Sequence, residues 1–159
     1  CWRDKYEPPA GAYASVAVGD YVGCAVDAAG GVACWGHPYN GEDVPPEGLL
    51  FSAVSLGLYH ACGITDAGSI ACWGHDDGGL LDAPEGGFVA LDAGSTQTCA
   101  LGAGGEIACW GVDRYGETLA PEGVFQQVSA GGSHACAVDD GGGISCWGLD
   151  DFGQASPPE

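Results

Sequence analysis

Nine cysteines, four histidines and twenty-two acidic residues are the groups in this 159-residue chain that could carry chemistry. Cysteines can ligate zinc, pair as disulfides or act as nucleophiles, and their spacing separates these roles. Eight fall into four pairs, Cys24/Cys34, Cys62/Cys72, Cys99/Cys109 and Cys136/Cys146, each ten residues apart. That interval lacks the close Cys-x-x-Cys knuckle of a zinc site, so disulfides are expected. Cys1 is left over. Among the histidines, His60 and His134 share one repeat position with Val22 and Gln97, and His37 and His75 share another with Val112 and Leu149. A base or ligand essential to function would not be built so irregularly, so packed or bonded histidines are expected. Asp76, Asp77, Asp113, Asp150 and Asp151 lie beside glycine turns and are weak calcium candidates. They lack the alternating carboxylate spacing of a calcium loop, and aspartates bonding their own turn backbone are the simpler expectation. Calcium is therefore the single cofactor left open. Gly-x-Ser-x-Gly, phosphate-loop and His-Glu-x-x-His patterns are absent, so no catalytic residue is assigned and no enzyme is expected.

The elements that position the cysteines repeat with them. Successive pairs start 38, 37 and 37 residues apart. Trp35, Trp73, Trp110 and Trp147 follow the second cysteines, and Gly36, Gly74, Gly111 and Gly148 follow the tryptophans. Gly19, Gly57, Gly94 and Gly131 precede the first cysteines by five, and Tyr13, Phe51, Phe88 and Phe125 stand six residues earlier. A period of this size marks a solenoid, propeller or array. The units are assigned as 11–48, 49–86, 87–123 and 124–159, with 1–10 as a partial unit or anchor.

Within a unit the pattern reads as a hairpin. In the segment Cys62 to Cys72, residues 62, 64, 70 and 72 share one face, and Asp66-Ala67-Gly68 forms a three-residue turn with glycine in the left-handed position. This register sets Ile64 opposite Ile70 and Cys62 opposite Cys72, close enough to bridge. Val26/Val32, Leu101/Ile107 and Val138/Ile144 repeat it. Each staple would contribute about 2–3 kcal/mol by closing a short loop. A further strand precedes each hairpin, giving an all-β fold of three- or four-stranded sheets that must stack to bury both faces. The tryptophans, one per unit, are expected to pack between neighbours, with an exposed ring of binding aromatics as the alternative.

Thirty glycines, nine prolines and a formal net charge of −19 complete the outline. Such a charge repels nucleic acid and anionic membranes and favours cations or basic proteins as partners. No apolar run reaches membrane-spanning length.

The run Gly131-Gly132-Ser133-His134-Ala135-Cys136-Ala137-Val138, followed by Cys146-Trp147-Gly148-Leu149-Asp150-Asp151-Phe152-Gly153-Gln154, resembles the regulator-of-chromosome-condensation repeat in its cysteine-rich bacterial form. The resemblance covers residues 11 to 159 and implies one β-propeller blade per repeat, usually seven to a ring. Four repeats fall short of that ring, which leaves a fragment of a longer chain, a small ring, or blades completed by other copies. Cys1-Trp2 ahead of Pro8-Pro9-Ala10-Gly11 echoes the end of a blade, so Cys1 is read three ways: the last strand of a truncated blade, an acylated lipoprotein cysteine, or an intermolecular disulfide. The expected protein is a secreted or cell-surface structural module that assembles head to tail as an oligomer or filament. The alternative is a loop-binding propeller that grips a basic partner protein. The resemblance allows it, because a bacterial β-lactamase-inhibiting protein uses such a propeller.

Overall fold

The computed structural model describes residues 8–157. Cys1 and Trp2, and Pro158 and Glu159 at the other end, lie outside the described residues, and with them the three readings of Cys1.

Twelve strands form four antiparallel three-stranded sheets, and no helix is present among the described residues. The first blade holds β1 (Tyr13–Val18), β2 (Val22–Asp27) and β3 (Val32–Gly36). The second holds β4 (Phe51–Leu56), β5 (His60–Thr65) and β6 (Ile70–Gly74), and the third β7 (Phe88–Ala93), β8 (Gln97–Gly102) and β9 (Ile107–Gly111). The fourth holds β10 (Phe125–Ala130), β11 (His134–Asp139) and β12 (Ile144–Gly148). Each blade thus has three strands, in sequence order, among the described residues.

The hairpin register is the expected one. Ile64 faces Ile70, and the Thr65 amide donates to the Ser69 carbonyl at 2.8 Å. Gly68 closes that turn at φ 82°, a conformation that costs a residue with a Cβ. Cys24 faces Cys34, Cys62 faces Cys72, Cys99 faces Cys109 and Cys136 faces Cys146. Their Cα atoms are 4.0 or 4.1 Å apart and their sulfurs lie at disulfide distance. A further regularity is a register shift near the start of every first strand, as between Phe51 and Ala53, where an extra residue bends the strand.

A three-stranded sheet has two faces and cannot cover either alone, so the core lies between blades. Val22 and Cys24 of the first blade pack with Phe51, Leu56, Ala61 and Trp73 of the second. Cys62 and Ile64 pack with Phe88, Ala100 and Trp110 of the third. Cys99 and Leu101 pack with Phe125, Val128, Ala135, Ala137 and Trp147 of the fourth.

The sequence treats the two cysteines of a pair alike, and here the structure differs. Cys24, Cys62 and Cys99 sit on the middle strand of their sheets and are fully buried. Their partners Cys34, Cys72 and Cys109 sit on the third strand, at the sheet edge, and are only half-buried. Cys34, Cys72 and Cys109 still pack against the core clusters that their partners help to form. In the fourth blade, the last among the described residues, both Cys136 and Cys146 are half-buried. Position in the sheet and cover by the next blade, rather than residue type, set this burial.

Blades approach closely at the turns after the first strands. A Cβ on Gly19 would strike the Gly57 carbonyl, one on Gly57 the Gly94 carbonyl, and one on Gly94 the Gly131 carbonyl. The glycine period is a backbone-to-backbone contact repeated three times. Polar bonds reinforce it: Ser55 Oγ and Ser129 Oγ donate to the two oxygens of Asp92 at 3.1 and 3.0 Å, tying second, third and fourth blades together.

Candidate functional site

One end of the blades is a face built from two loops per repeat. The turn before each second strand accepts a hydrogen bond from the loop after the tryptophan: Tyr21 O from His37 N at 2.9 Å, Tyr59 O from His75 N at 2.8 Å, Thr96 O from Val112 N at 2.9 Å, and Ser133 O from Leu149 N at 2.8 Å. Backbone groups hold the loops together, so the side chains at these positions are left to vary.

The post-tryptophan loops are fixed by residues that sequence reasoning passes over. Glu42 and Glu117 are buried carboxylates in an otherwise solvent-facing region. Glu42 accepts from the Tyr39 and Asn40 amides at 3.0 and 2.7 Å, and Glu117 from the Arg114 and Tyr115 amides at 2.8 and 2.6 Å. Gln154 does the same for the Phe152 amide at 2.8 Å, whereas Leu80 holds this position in the second blade. The available signal is the acidic or amide residue directly after the periodic glycine, as in Gly41-Glu42, Gly116-Glu117 and Gly153-Gln154. The carbonyl of this same residue accepts the indole N–H of the next blade: Trp73 to Glu42 at 2.9 Å, Trp110 to Leu80 at 3.1 Å, and Trp147 to Glu117 at 2.9 Å. These three tryptophans are buried between blades, whereas Trp35 of the first blade is half-buried.

The histidines separate into two kinds. His60 is fully buried, and its Nε2 lies 2.8 Å from Thr98 Oγ1 in the next blade. Burial lowers its pKa to about 4, so it is neutral at pH 7. Gln97, one blade on, is also fully buried and donates from Nε2 to the carbonyls of Gly131 and His134 at 3.0 and 3.2 Å. His134 is only half-buried. His37 and His75, by contrast, are exposed on the loop face and join an aromatic cluster.

That cluster combines loops of the first two blades. Tyr21 stacks on Tyr59 with centroids 6.1 Å apart and planes 9° from parallel. Tyr39 meets both edge-on, at 4.9 and 6.3 Å. His37 lies 4.9 Å from Tyr39, and His75 lies 6.3 Å from Tyr59. Tyr59 above all, then burial, Tyr39 and Asp20, hold the Tyr21 hydroxyl above the usual tyrosine pKa. Beyond the cluster the face continues as a concave surface of about 410 Å³ lined by Tyr59, His75, Asp77, Val112, Tyr115 and Leu149 among others.

The acidic residues weighed for calcium do not converge. Asp150 accepts from the Ala155 amide at 2.8 Å and the Ser156 hydroxyl at 2.7 Å, with Ser156 first and Ala155 second in lowering its pKa. Asp76 accepts from the Leu81 amide at 3.4 Å. Among the described residues no group of three or more His, Cys, Asp or Glu is placed to hold a metal ion. Asp77, Asp113 and Asp151 therefore share no such group with Asp76 and Asp150. The same holds for the half-buried cysteines Cys34 and Cys109, whose sulfurs lie 2.03 and 2.12 Å from those of Cys24 and Cys99.

Known proteins place this architecture. Residues 125–154 match the family model of the regulator of chromosome condensation (RCC1) repeat. The ectodomain of the Arabidopsis thaliana receptor kinase ACR4 is similar at 29% identity and a TM-score of 0.76, over 85% of this chain and 50% of that one. Yeast RCC1 (Prp20), in its complex with Kap60, superposes with a TM-score of 0.77 at 18% identity, over 90% of this chain and 45% of that one. The fold is that of RCC1-like propeller repeats. The ectodomain of the Physcomitrella patens receptor kinase CR4 also matches, at 27% identity and a TM-score of 0.74, over 92% of this chain and 43% of that one. The chain spans about half the length of these structures. No curated protein matches it. In RCC1-like terms each sheet described above is a blade, and the cysteine pair in each fits a cysteine-rich version of the repeat.

Among the described residues of this RCC1-like chain, two apolar surfaces are exposed where the other blades are covered. Val16 and Val18 on β1 are 65% and 74% exposed, although Val54, Leu91 and Val128 at the Val16 position and Leu56, Ala93 and Ala130 at the Val18 position are buried or half-buried. At the other end Ile144 is 53% exposed and Val138 half-buried, whereas Val26, Ile64 and Leu101 at the Val138 position are buried. A hollow of about 420 Å³ lies there, lined by Cys136, Val138, Ile144, Cys146 and Pro157 among others. Among the described residues no helix is long and apolar enough to cross a membrane.

Proposed function

We propose that this chain is a non-catalytic extracellular module that assembles head to tail, the open face of its fourth blade receiving the open face of the first blade of another copy. The observation that carries this is the pair of apolar faces at Val16/Val18 and Val138/Ile144, which correspond to the faces that meet in the three internal interfaces. Blade-on-blade packing is the interaction this sequence makes three times already, so a fourth interface of the same kind needs no new chemistry. Burying that much apolar surface favours association at roughly 25 cal/mol per Å² before the entropic cost of joining two molecules. The −19 charge opposes it, so salt should strengthen it. Extracellular placement is supported by four cysteine pairs at disulfide distance and by the ectodomain neighbours. In that setting the four pairs are disulfides, no cofactor is needed, and calcium stays a minor candidate at the post-tryptophan loops. Sedimentation velocity across a range of protein and salt concentrations tests the reading. Association that grows with both is expected, and a monomer under all conditions would refute it.

A second reading, a loop face that grips a basic partner protein, is favoured by the aromatic cluster of the first two blades and by the acidic charge. It uses a different surface, so both can hold at once.

A further inference from the structure

The aromatic cluster is not something the blade needs in order to fold. The positions of Tyr21 and Tyr59 are held by Thr96 and Ser133 in the third and fourth blades, and those of His37 and His75 by Val112 and Leu149. All four blades nonetheless make the same loop-closing bond through the backbone, at 2.8 or 2.9 Å. The structural duty belongs to the carbonyl and the amide. The rings of blades one and two are therefore surplus to the repeat, and two of them are kept in the open: Tyr39 is 60% and Tyr21 42% exposed, while Tyr59 is half-buried. Large aromatic rings gathered at a surface without a packing role mark a binding site.

The arrangement also specifies what would bind. Tyr21 and Tyr59 lie nearly parallel, and Tyr39 stands edge-on to them at 78° and 86°, so the three rings form a corner of perpendicular walls. A π face carries negative potential, so a cation seated on an exposed ring of this group is attracted to it. Asp20 is close enough to Tyr21 to help hold its hydroxyl in the neutral form, and Asp76 and Asp77 follow His75 on the neighbouring loop. Among the described residues the one lysine or arginine is Arg114, which is not in the cluster but lines the hollow beyond it, on the post-tryptophan loop of the third blade. A cationic ligand thus finds the rings and the Asp20 carboxylate at the cluster, whereas an anionic one meets a carboxylate of its own sign.

We infer that Tyr21, Tyr39 and Tyr59 form an aromatic corner that takes a cationic side chain, a guanidinium or ammonium group, from a partner protein docked on the loop face. This rests on the loop-binding reading above and names its anchor. The partner segment would continue into the hollow beyond, where Val112 and Leu149 offer apolar contact and Arg114 favours an uncharged or acidic neighbour to the cationic residue.

The test uses the full chain and a minimal probe. N-acetyl-arginine amide is titrated against it while the tyrosine ring protons are followed by NMR, with N-acetyl-citrulline amide as the neutral isostere. Saturable shifts at Tyr21, Tyr39 and Tyr59 are expected from the arginine derivative, with binding several-fold weaker for citrulline. Tyr39→Ala should weaken the arginine probe by about threefold, the worth of one exposed ring, and Tyr115→Ala should leave it unchanged. Tyr39→Phe keeps the ring and should keep the binding, which separates loss of the π face from damage to the loop. Equal responses to the two probes, no response, or indifference to Tyr39→Ala would overturn the inference. Arginine-specific shifts confined to Val112 and Leu149 would overturn the corner while leaving the loop-binding reading in place.

Discussion

Trp147 of the fourth blade donates its indole N–H to the backbone carbonyl of Glu117, in the third, at 2.9 Å. Glu117 meanwhile turns its carboxylate inward to hold the loop that presents that carbonyl. One residue thus shapes its own blade with its side chain and anchors the next blade with its backbone. The Cys-Trp-Gly signature is an inter-blade joint, and its other half is the residue after the periodic glycine.

Replacing Trp110 by Phe keeps most of the buried ring but leaves the Leu80 carbonyl without its donor. An unsatisfied buried acceptor costs about 1–3 kcal/mol, and Trp110→Ala, which also opens a cavity, about 3–5 kcal/mol. Urea denaturation of the two variants should show losses in that order. A Trp110→Phe loss near zero would mean that the hydrogen bond contributes nothing.

Glu117→Gln retains an acceptor oxygen, as Gln154 does at the same place in the fourth blade. It should therefore cost well under about 1 kcal/mol. Glu117→Ala strands the Arg114 and Tyr115 amides and should cost about 1–3 kcal/mol, read as a lower melting temperature. The contrast between the two variants is the informative quantity.

How much of this was legible in the sequence depended on whether a residue acts within its own blade or on the next. The Cys62/Cys72 register, the turn at Gly68 and the buried face of Ile64 follow from strand alternation and turn chemistry, both local and readable. The unequal burial of Cys24 against Cys34, and of Cys99 against Cys109, was not readable. It depends on which strand lies in the middle of the sheet and on what the neighbouring blade covers. The carbonyl contacts that force glycine at 57 and 94 were visible only as a period, because the obstructing atom belongs to another blade. Glu42 and Glu117 were missed for a similar reason. A carboxylate in a loop reads as surface charge until its amide partners are seen. The aromatic corner joins Tyr21, Tyr39 and Tyr59 from two repeats, and no spacing rule brings them together.

Acid should loosen the contact between the second and third blades. His60 has a folded pKa of about 4 against an ordinary 6.5, so the folded state binds its proton less readily than the unfolded chain. Its contribution is therefore complete above pH 6.5 and is lost progressively as pH falls from there through 4, to a limit of about 3 kcal/mol. His60→Gln, which installs the residue found at Gln97, should remove that part of the acid sensitivity. Unfolding midpoints of both proteins at pH 7 and pH 4 give the comparison.

The cysteine pairs should survive mass spectrometry without reductant as four bridges: Cys24–Cys34, Cys62–Cys72, Cys99–Cys109 and Cys136–Cys146. Reduction should cost about 2–3 kcal/mol per bridge, since each closes a short loop. Any other pairing would contradict the hairpin register.

Head-to-tail assembly is tested most directly by blocking one face at a time. Val18→Asp places a charge on the first-blade face, and Ile144→Asp places one on the fourth-blade face, both at exposed positions that leave the internal core untouched. Each variant alone should sediment as a monomer, because its remaining sound face has no sound partner to meet. Mixed in equal amounts, they should form a two-chain complex and nothing larger, since each supplies the face the other lacks. A mixture that stays monomeric while the unaltered chain associates would contradict the proposed interface, and an unaltered chain that never associates would contradict assembly itself.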